Sequence, residues 1–386
     1  MTPERRIALT LGITQTYAYA TTYYLPDVIL GVAAEELALS RAELLGGFSL
    51  AMLVSGLCAP RVGVMIDRIG GRGLMAASSL IIAAGLAMLA AAHGLVLWYA
   101  AWIVIGLGMS MGLYEAAFAS IGRLYGQASR PIITHVTLIA GFASTIAWPV
   151  GTALLGPIGW RWLTLLYAAL HLVLNLPLVL AFIPRPTTGP LPANPKGHDA
   201  SALAAARKAF VLLAVFFTTR AAIASVLSVH IITVLQHVGL GTAAAVAMAS
   251  LIGPGQVAGR IVEMAIGRRV DPLRSSHLGA ALLPIGVVAL LLAGPPAAIA
   301  FTLAYGMSNG IITISKGTLP MALFGPNGYA TLLGRLSMPS LIVSALAPTL
   351  AAPLIDAWSG MSILTLAGVL GAGAALCLVP LRLPSR

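Results

Sequence analysis

Few residues in this chain could do chemistry, and those few stand where charge is costly. Arg220 lies midway along an apolar run beside Thr218 and Thr219, and Glu115 lies in another run beside Tyr114. An ionisable group near the centre of a bilayer costs on the order of 3 kcal/mol on insertion scales, and it marks a pathway or a pair. The guanidinium of Arg220 is a planar fork of donors suited to a carboxylate, sulfonate or phosphate. It reads either as a contact for an anionic solute or as half of a structural pair with an acid on another helix. Burial favours the protonated form of a carboxyl. Glu115 therefore reads either as a group that exchanges a proton with a transport cycle or as the partner of Arg123 or Lys316. Lys316 and Arg335 stand toward the ends of their runs, where long side chains snorkel to water; Lys316 can still point inward.

Polar and aromatic residues at similar depth are Tyr19, Tyr23, Trp148, Ser225, Ser228, Gln256, Tyr305 and Asn309. Together with Arg220 and Lys316, the candidates for solute contact are Tyr23, Tyr114, Trp148, Gln256, Tyr305 and Asn309. Taken singly, each reads first as a packing or interhelical hydrogen-bonding residue, so only convergence would promote them. His135, His171 and His230 titrate near neutrality, but a lone helical histidine is ordinarily packing, and none is assigned a role. Cys58 and Cys377 read as small packing residues. No enzyme is expected: there is no phosphate loop, no zinc-spaced Cys/His cluster, no nucleophile elbow and no soluble domain to house one. Met or His pairs one helical turn apart, which soft-metal transport would want, are missing too, so no metal or cofactor is expected.

The elements that must position these groups follow from composition. Apolar residues make up 59% of 386 positions, charged residues 9%, and mean hydropathy is +0.96, so most of the surface must face lipid. A helical span needs about 20 apolar residues. Twelve runs qualify, at about 7–31, 44–66, 73–92, 96–123, 131–155, 161–183, 208–235, 242–266, 276–294, 297–321, 328–355 and 360–381. They are far longer than the roughly ten-residue alternating strands of a membrane barrel, which makes the class all-α integral membrane.

Cytoplasmic loops collect Lys and Arg. With both termini cytoplasmic, that side gathers Arg5, Arg6, Arg61, Arg68, Arg72, Arg123, Arg130, Arg185, Lys196, Arg207, Lys208, Arg260, Arg268, Arg269, Arg274, Arg382 and Arg386, and the other keeps only Arg41 and Arg161. The net charge of +11 is mostly this asymmetry and calls for no nucleic-acid partner. The first run is a full span without a cleavage site after a short core, so a signal peptide is not expected.

The chain repeats itself. Residues 63–72, GVMIDRIGGR, have an echo 196 positions later at 259–268, GRIVEMAIGR, and residues 108–112, GMSMG, have one 198 positions later at 306–310, GMSNG. Two matches at nearly one offset indicate duplication, a mark of secondary transporters whose solute site lies between repeats. The longest polar interruption separates the copies, which gives an N-terminal bundle at 1–184, a cytoplasmic linker at 185–207 and a C-terminal bundle at 208–386.

Gly63, Asp67, Arg68, Gly70 and Arg72, in the loop between the second and third runs, match in order the signature of the major facilitator superfamily, which the chain resembles over its whole length. The second copy keeps Gly259, Glu263, Gly267, Arg268 and Arg269. The resemblance implies two pseudo-symmetric six-helix bundles that expose a central site alternately to each side. It also implies a gate at Gly63, Asp67, Arg68 and Arg72, with a reduced version at Glu263 and Arg268. In that gate Asp67 would be held by arginines, and Asp67 with Arg72 would brace the halves. Arg68, Arg269 and Arg274 read equally well as ordinary topogenic loop charges. Two family patterns are missing. Trp102 stands where many proton-coupled members carry an arginine four residues before a glycine, here Gly106. Residues 141–151, GFASTIAWPVG, do not meet the helix-5 pattern of drug antiporters.

These readings converge on a monomeric secondary transporter in the cytoplasmic membrane, moving a small organic anion with proton or exchange coupling. The alternatives are an exporter of a toxic or amphipathic compound, an importer of a vitamin or metal, and a non-transporting sensor.

Overall fold

The computed structural model describes residues 2–185, 200–267 and 269–384, with 200–203 as backbone only. Arg268, Lys196, Arg386 and most of the 185–207 linker lie outside them. The described chain divides into two compact units, Met1–Ala193 with Pro326–Met338, and Asn194–Gly325 with Pro339–Arg386. No strand occurs among the described residues, as expected of spans that must satisfy their own backbone hydrogen bonds in lipid.

The first unit contains α1 (Pro3–Thr21), α2 (Leu25–Leu37), α3 (Arg41–Ile69), α4 (Gly71–Ala90), α5 (Leu95–Gly112), α6 (Tyr114–Tyr125), α7 (Ser129–Ala140), α8 (Ala143–Leu170) and α9 (Leu176–Phe182). The second contains α10 (Ala200–His237), α11 (Thr242–Ser250), α12 (Ile252–Ile266), α13 (Pro272–Ala293), α14 (Ala298–Phe324) and α16 (Gly360–Leu376). Between the last two, α15 (Tyr329–Ala357) begins in the first unit and ends in the second. Eight helical stretches among the described residues are long and apolar enough to cross a bilayer.

All twelve apolar runs are helical, several in two pieces, and the breaks have local causes. Pro26, in the first turn of α2, has no N–H to continue the ladder from α1. The fifth and sixth runs share α8, which kinks at Gly159, φ 73°, just past Pro157. The sixth run then widens into a π-helical turn at His171–Asn175 ahead of Pro177. The fourth run is interrupted at Leu113, whose backbone is extended, so α6 starts afresh with its own N-terminus.

The duplicated glycine strings are close-packing points, used differently in the two units. On α14, a Cβ at Gly306 would meet Gly255 Cα of α12 at 3.0 Å, and Gly310 meets the Gln256 backbone. On α5, Gly108 and Gly112 face Ile82 and Ser78 of α4 instead. The core of the second unit gathers Leu227, Val234, Leu283, Phe301, Tyr305 and Leu364. That of the first is built on Trp98, Trp102, Trp160 and Phe118, with Trp98 Nε1 donating to the Leu44 carbonyl at 2.8 Å.

Arg161 has structural work at the end of α2. Its Nε donates to Glu36 Oε1 at 2.7 Å, its Nη1 donates to the Ala90 carbonyl, and its guanidinium lies 4.4 Å from the Trp160 ring centroid. Trp160 Nε1 donates to the other Glu36 oxygen. The Arg161 hydrogen bond holds the Glu36 carboxyl below the usual carboxylate range, opposed by burial and aided by the Trp160 hydrogen bond. A depressed folded-state pKa contributes stability that is fully present above the unfolded value and is lost as pH falls through the folded value. Glu36→Gln should therefore lower the melting temperature slightly at pH 7, by the roughly 0.2–1 kcal/mol of a half-exposed pair. The gap to wild type should close on acidification below the ordinary glutamate pKa; a gap that stays constant down to that range refutes the carboxylate as its source.

Candidate functional site

In the second unit, Arg220 of α10 is 3% exposed. Its Nη2 donates to Ser308 Oγ at 2.7 Å and to Asn309 Oδ1 at 3.2 Å, both on α14. Ser308 Oγ in turn donates to the Gly279 carbonyl of α13 at 2.5 Å, which fixes the hydroxyl as an acceptor for the guanidinium. Asn309 also hydrogen-bonds Tyr305, whose ring stacks on Phe301 with centroids 6.0 Å apart. Arg220 Nε and Nη1 are buried without a hydrogen-bond partner. No carboxylate among the described residues bonds to Arg220, so the structural ion pair weighed from the sequence is not found there.

Of the expected solute contacts in this unit, the structure thus joins Arg220, Tyr305 and Asn309 and adds Ser308. Gln256, on α12, and Lys316, two turns further along α14 and half-buried, are not part of this hydrogen-bonded group. Ser308 lies inside the repeated GMSNG string and could be noticed from sequence only as duplication. Arg260, counted above with the loop charges, is instead 5% exposed within α12, with Nε and Nη1 lacking hydrogen-bond partners, and Glu263 is 2% exposed on the same helix.

In the first unit the expected aromatics converge. Tyr19 lies 4.7 Å from Tyr114 and 5.8 Å from Tyr23, centroid to centroid; Tyr23 meets Tyr24 and Phe48, and Tyr24 meets Trp148. Tyr23, Tyr114 and Trp148 thus belong to one chain of rings from α1, the turn between α1 and α2, α3, α6 and α8. Trp148 Nε1 donates to Asp27 Oδ2 at 3.1 Å. Glu115 is half-buried in the first turn of α6, within electrostatic reach of Tyr19. The break at Leu113 therefore puts this carboxyl in the first turn of a helix. Among the histidines, His171 is fully buried, with Nε2 2.8 Å from Thr21 Oγ1. His135 and His230 each bond a proline carbonyl.

The motif loop is built differently from the expected arginine clasp. The Asp67 carboxylate accepts from Ala330 N at 3.2 Å, Thr331 N at 2.7 Å and Thr331 Oγ1 at 2.6 Å, so it caps the first turn of α15. Gly63 permits this approach, since a Cβ there would stand 3.0 Å from Thr331 Cα. The arginines go elsewhere. Arg72 donates to the Leu180 carbonyl of α9, Arg123 donates to the main-chain carbonyl of Asp67, and Arg68 is exposed. The reason is supply: three oriented donors at a helix start satisfy a carboxylate without ordering a long cationic side chain.

The family model described as Major Facilitator Superfamily matches residues 11–348. The chain belongs to the Major Facilitator Superfamily. It is 29% identical over 306 residues to an uncharacterized 38 kDa protein in the 23S RNA operon of Thermoproteus tenax, covering 78% of this chain and 73% of that one. Among solved structures it resembles the human organic anion transporter MFSD10 (TETRAN), at 16% identity and TM-score 0.76, covering 98% of this chain and 100% of that one. It also resembles the proton:xylose symporter XylE bound to 6-bromo-6-deoxy-D-glucose, at 14% identity and TM-score 0.69, covering 97% and 94%. The likenesses to solved structures show the fold; the family match makes this a multi-pass membrane protein of the secondary-transporter class.

Two features take their meaning from that membership. Trp102, at the position where many proton-coupled members of the Major Facilitator Superfamily carry arginine, is 1% exposed and packs on Phe48 and Trp98 at centroid distances of 5.7 and 6.4 Å. It supplies bulk, not charge. The strings GMSMG and GMSNG also spell the Gly-x-Ser-x-Gly of a nucleophile elbow, contrary to the expectation that none occurs. Both lie inside helices rather than on a strand-to-helix turn. Ser110 donates to the Leu107 carbonyl and Ser308 to that of Gly279.

Proposed function

We propose that this transporter moves a small organic anion across the cytoplasmic membrane by alternating access, with Arg220 as the anchor for the anion and Glu115 as a proton-coupling group. The observation that carries the reading is the buried guanidinium of Arg220, with Nε and Nη1 unpartnered and no acid bonded to it among the described residues. An uncompensated charge in a low-dielectric interior is costly, and an anionic ligand removes that cost. Tyr305, Ser308 and Asn309 supply the fixed polar surround within the second unit. Gln256 and Lys316 are secondary candidates. One structural neighbour is an organic anion transporter, but at that identity it speaks for the fold, and the anion reading rests on Arg220. An exporter of amphipathic compounds would need an internal acid to neutralise Arg220.

The test is uptake of a panel of labelled monocarboxylates, neutral sugars and organic cations by proteoliposomes holding the purified chain. Saturable uptake of a carboxylate, inhibited by other carboxylates, is expected; movement of only neutral or cationic solutes sinks the reading. In the same vesicles, Glu115→Gln should remove accumulation driven by a proton gradient while sparing counterflow exchange. Unchanged accumulation would leave Glu115 with a structural role only.

A further inference from the structure

The break in the fourth run is bridged by a side chain from another helix. In a continuous helix the Gly112 carbonyl would accept from the N–H of residue 116. Here Leu113 N donates to the Met109 carbonyl and Ala117 N to the Leu113 carbonyl, but no backbone N–H among the described residues bonds the Gly112 carbonyl between them. Gln15 of α1 takes the missing place. Its Nε2 donates to the Gly112 carbonyl at 2.6 Å, with Gln15 1% exposed and Gly112 buried. A carbonyl oxygen can meet only the nitrogen of an amide, so this bond fixes the orientation of the Gln15 side chain. Its Oε1 is thereby left buried without a partner. An unpaired buried acceptor is costly, and the Gly112 bond is what holds the amide there. Tyr19, one turn after Gln15 on the same face of α1, meets the start of α6 as well, with its ring centroid 4.7 Å from that of Tyr114. Glu115 follows in the same first turn.

Resting on the reading of Glu115 as the proton-coupling group, we propose that Gln15 is the positioning residue of that carboxyl. By capturing the Gly112 carbonyl it keeps the Ala116 N–H from closing the helical ladder across Leu113. The fourth run therefore stays broken, and α6 carries Glu115 at its own start, beside the Tyr19 and Tyr114 rings. Without the amide, the buried Gly112 carbonyl regains its ordinary helical donor, Ala116 N–H, because leaving it unpaired is the costlier state. The span then closes into one helix and Glu115 moves relative to Tyr19.

The experiment compares wild type with Gln15→Met, which keeps the side-chain length but cannot donate, and Gln15→Asn, whose amide is one methylene too short to reach Gly112. Hydrogen exchange of the purified full chain, read by mass spectrometry on peptides spanning residue 116, should show the Ala116 amide slowed about tenfold in both variants, the equivalent of one hydrogen bond gained. In proteoliposomes with labelled pyruvate, proton-driven accumulation should fall about tenfold while counterflow exchange persists. Neither variant should have a further effect in the Glu115→Gln background, since residues that act through one another are not additive. A merely structural glutamine would instead lower accumulation and counterflow together, and additively. Ser110→Ala, which removes a hydroxyl bonded within α5, should change neither readout. Wild-type exchange at Ala116, or a wild-type ratio of accumulation to counterflow, in well-folded Gln15→Met or Gln15→Asn overturns the assignment of Gln15. Undiminished accumulation in Glu115→Gln overturns instead the reading of Glu115, and the exchange measurement still decides whether Gln15 holds the break.

Discussion

Arg220→Gln abolishes carboxylate uptake and makes the ligand-free protein no less stable than wild type. Both halves of this expected result come from one observation: the guanidinium is buried and, among the described residues, is bonded only to neutral oxygens and has two nitrogens without partners. Removing one member of a buried charged pair costs about 2–5 kcal/mol, so affinity for the anion should fall by roughly 30-fold to several thousand-fold. In the empty protein the sign reverses, because the variant removes a charge that nothing neutralises, while glutamine can still reach Ser308 or Asn309. A merely structural arginine would give the opposite pattern, a loss of melting temperature with little change in affinity per folded molecule. Arg220→Lys should be intermediate, keeping the charge but losing the planar donor set. The checks are transport in proteoliposomes and melting curves with and without carboxylate. Wild-type uptake by a well-folded Arg220→Gln protein ends the proposal.

Asp67→Ala is expected to produce the second large effect, a loss of about 2 kcal/mol of stability, the order of a lost helix cap with charge-assisted hydrogen bonds. Its carboxylate accepts from two backbone N–H groups and one hydroxyl at the start of α15. Those N–H groups are among the four that a helix start leaves unsatisfied, and Gly63 keeps α3 too close to the Ala330–Thr331 backbone for another side chain to intervene. Asp67→Asn keeps an acceptor oxygen but loses the charge that complements the helix dipole, so it should fall between alanine and wild type. Thr331→Val removes only the hydroxyl bond and should cost less than either. Because α15 begins in one unit and ends in the other, the same series should change the transport rate in the same order. A full-strength melting transition in Asp67→Ala would show that the cap contributes nothing.

The distance between a motif and its geometry is clearest in this loop. Gly63, Asp67 and Arg72 stood out as a motif, because their types and spacing are unusual between two long apolar runs. Their bonds were not. Asp67 went to a helix start 263 residues away in sequence, and Arg72 and Arg123 went to backbone carbonyls. Likewise Arg220, Tyr305 and Asn309 could be picked from sequence as polar groups at similar depth, while Ser308, the closest partner, was hidden in a string whose repetition spoke only of duplication. Arg260 was misplaced because a charge near the end of a run looks topogenic until the helix is known to carry it inside.

By itself the sequence determined the class, the twelve helical runs, the duplication and the charge asymmetry. In lipid every backbone group must be satisfied within its own segment, so a local apolar stretch is nearly a complete statement of a helix. Only the tertiary structure decided which atoms meet. These helices are apolar on most sides, since lipid and core make similar demands, so periodicity does not report how each is rotated. The partners of Arg220 and Asp67 depend on that rotation and on close approaches at glycines such as Gly63 and Gly306, which pairwise packing sets and local composition does not.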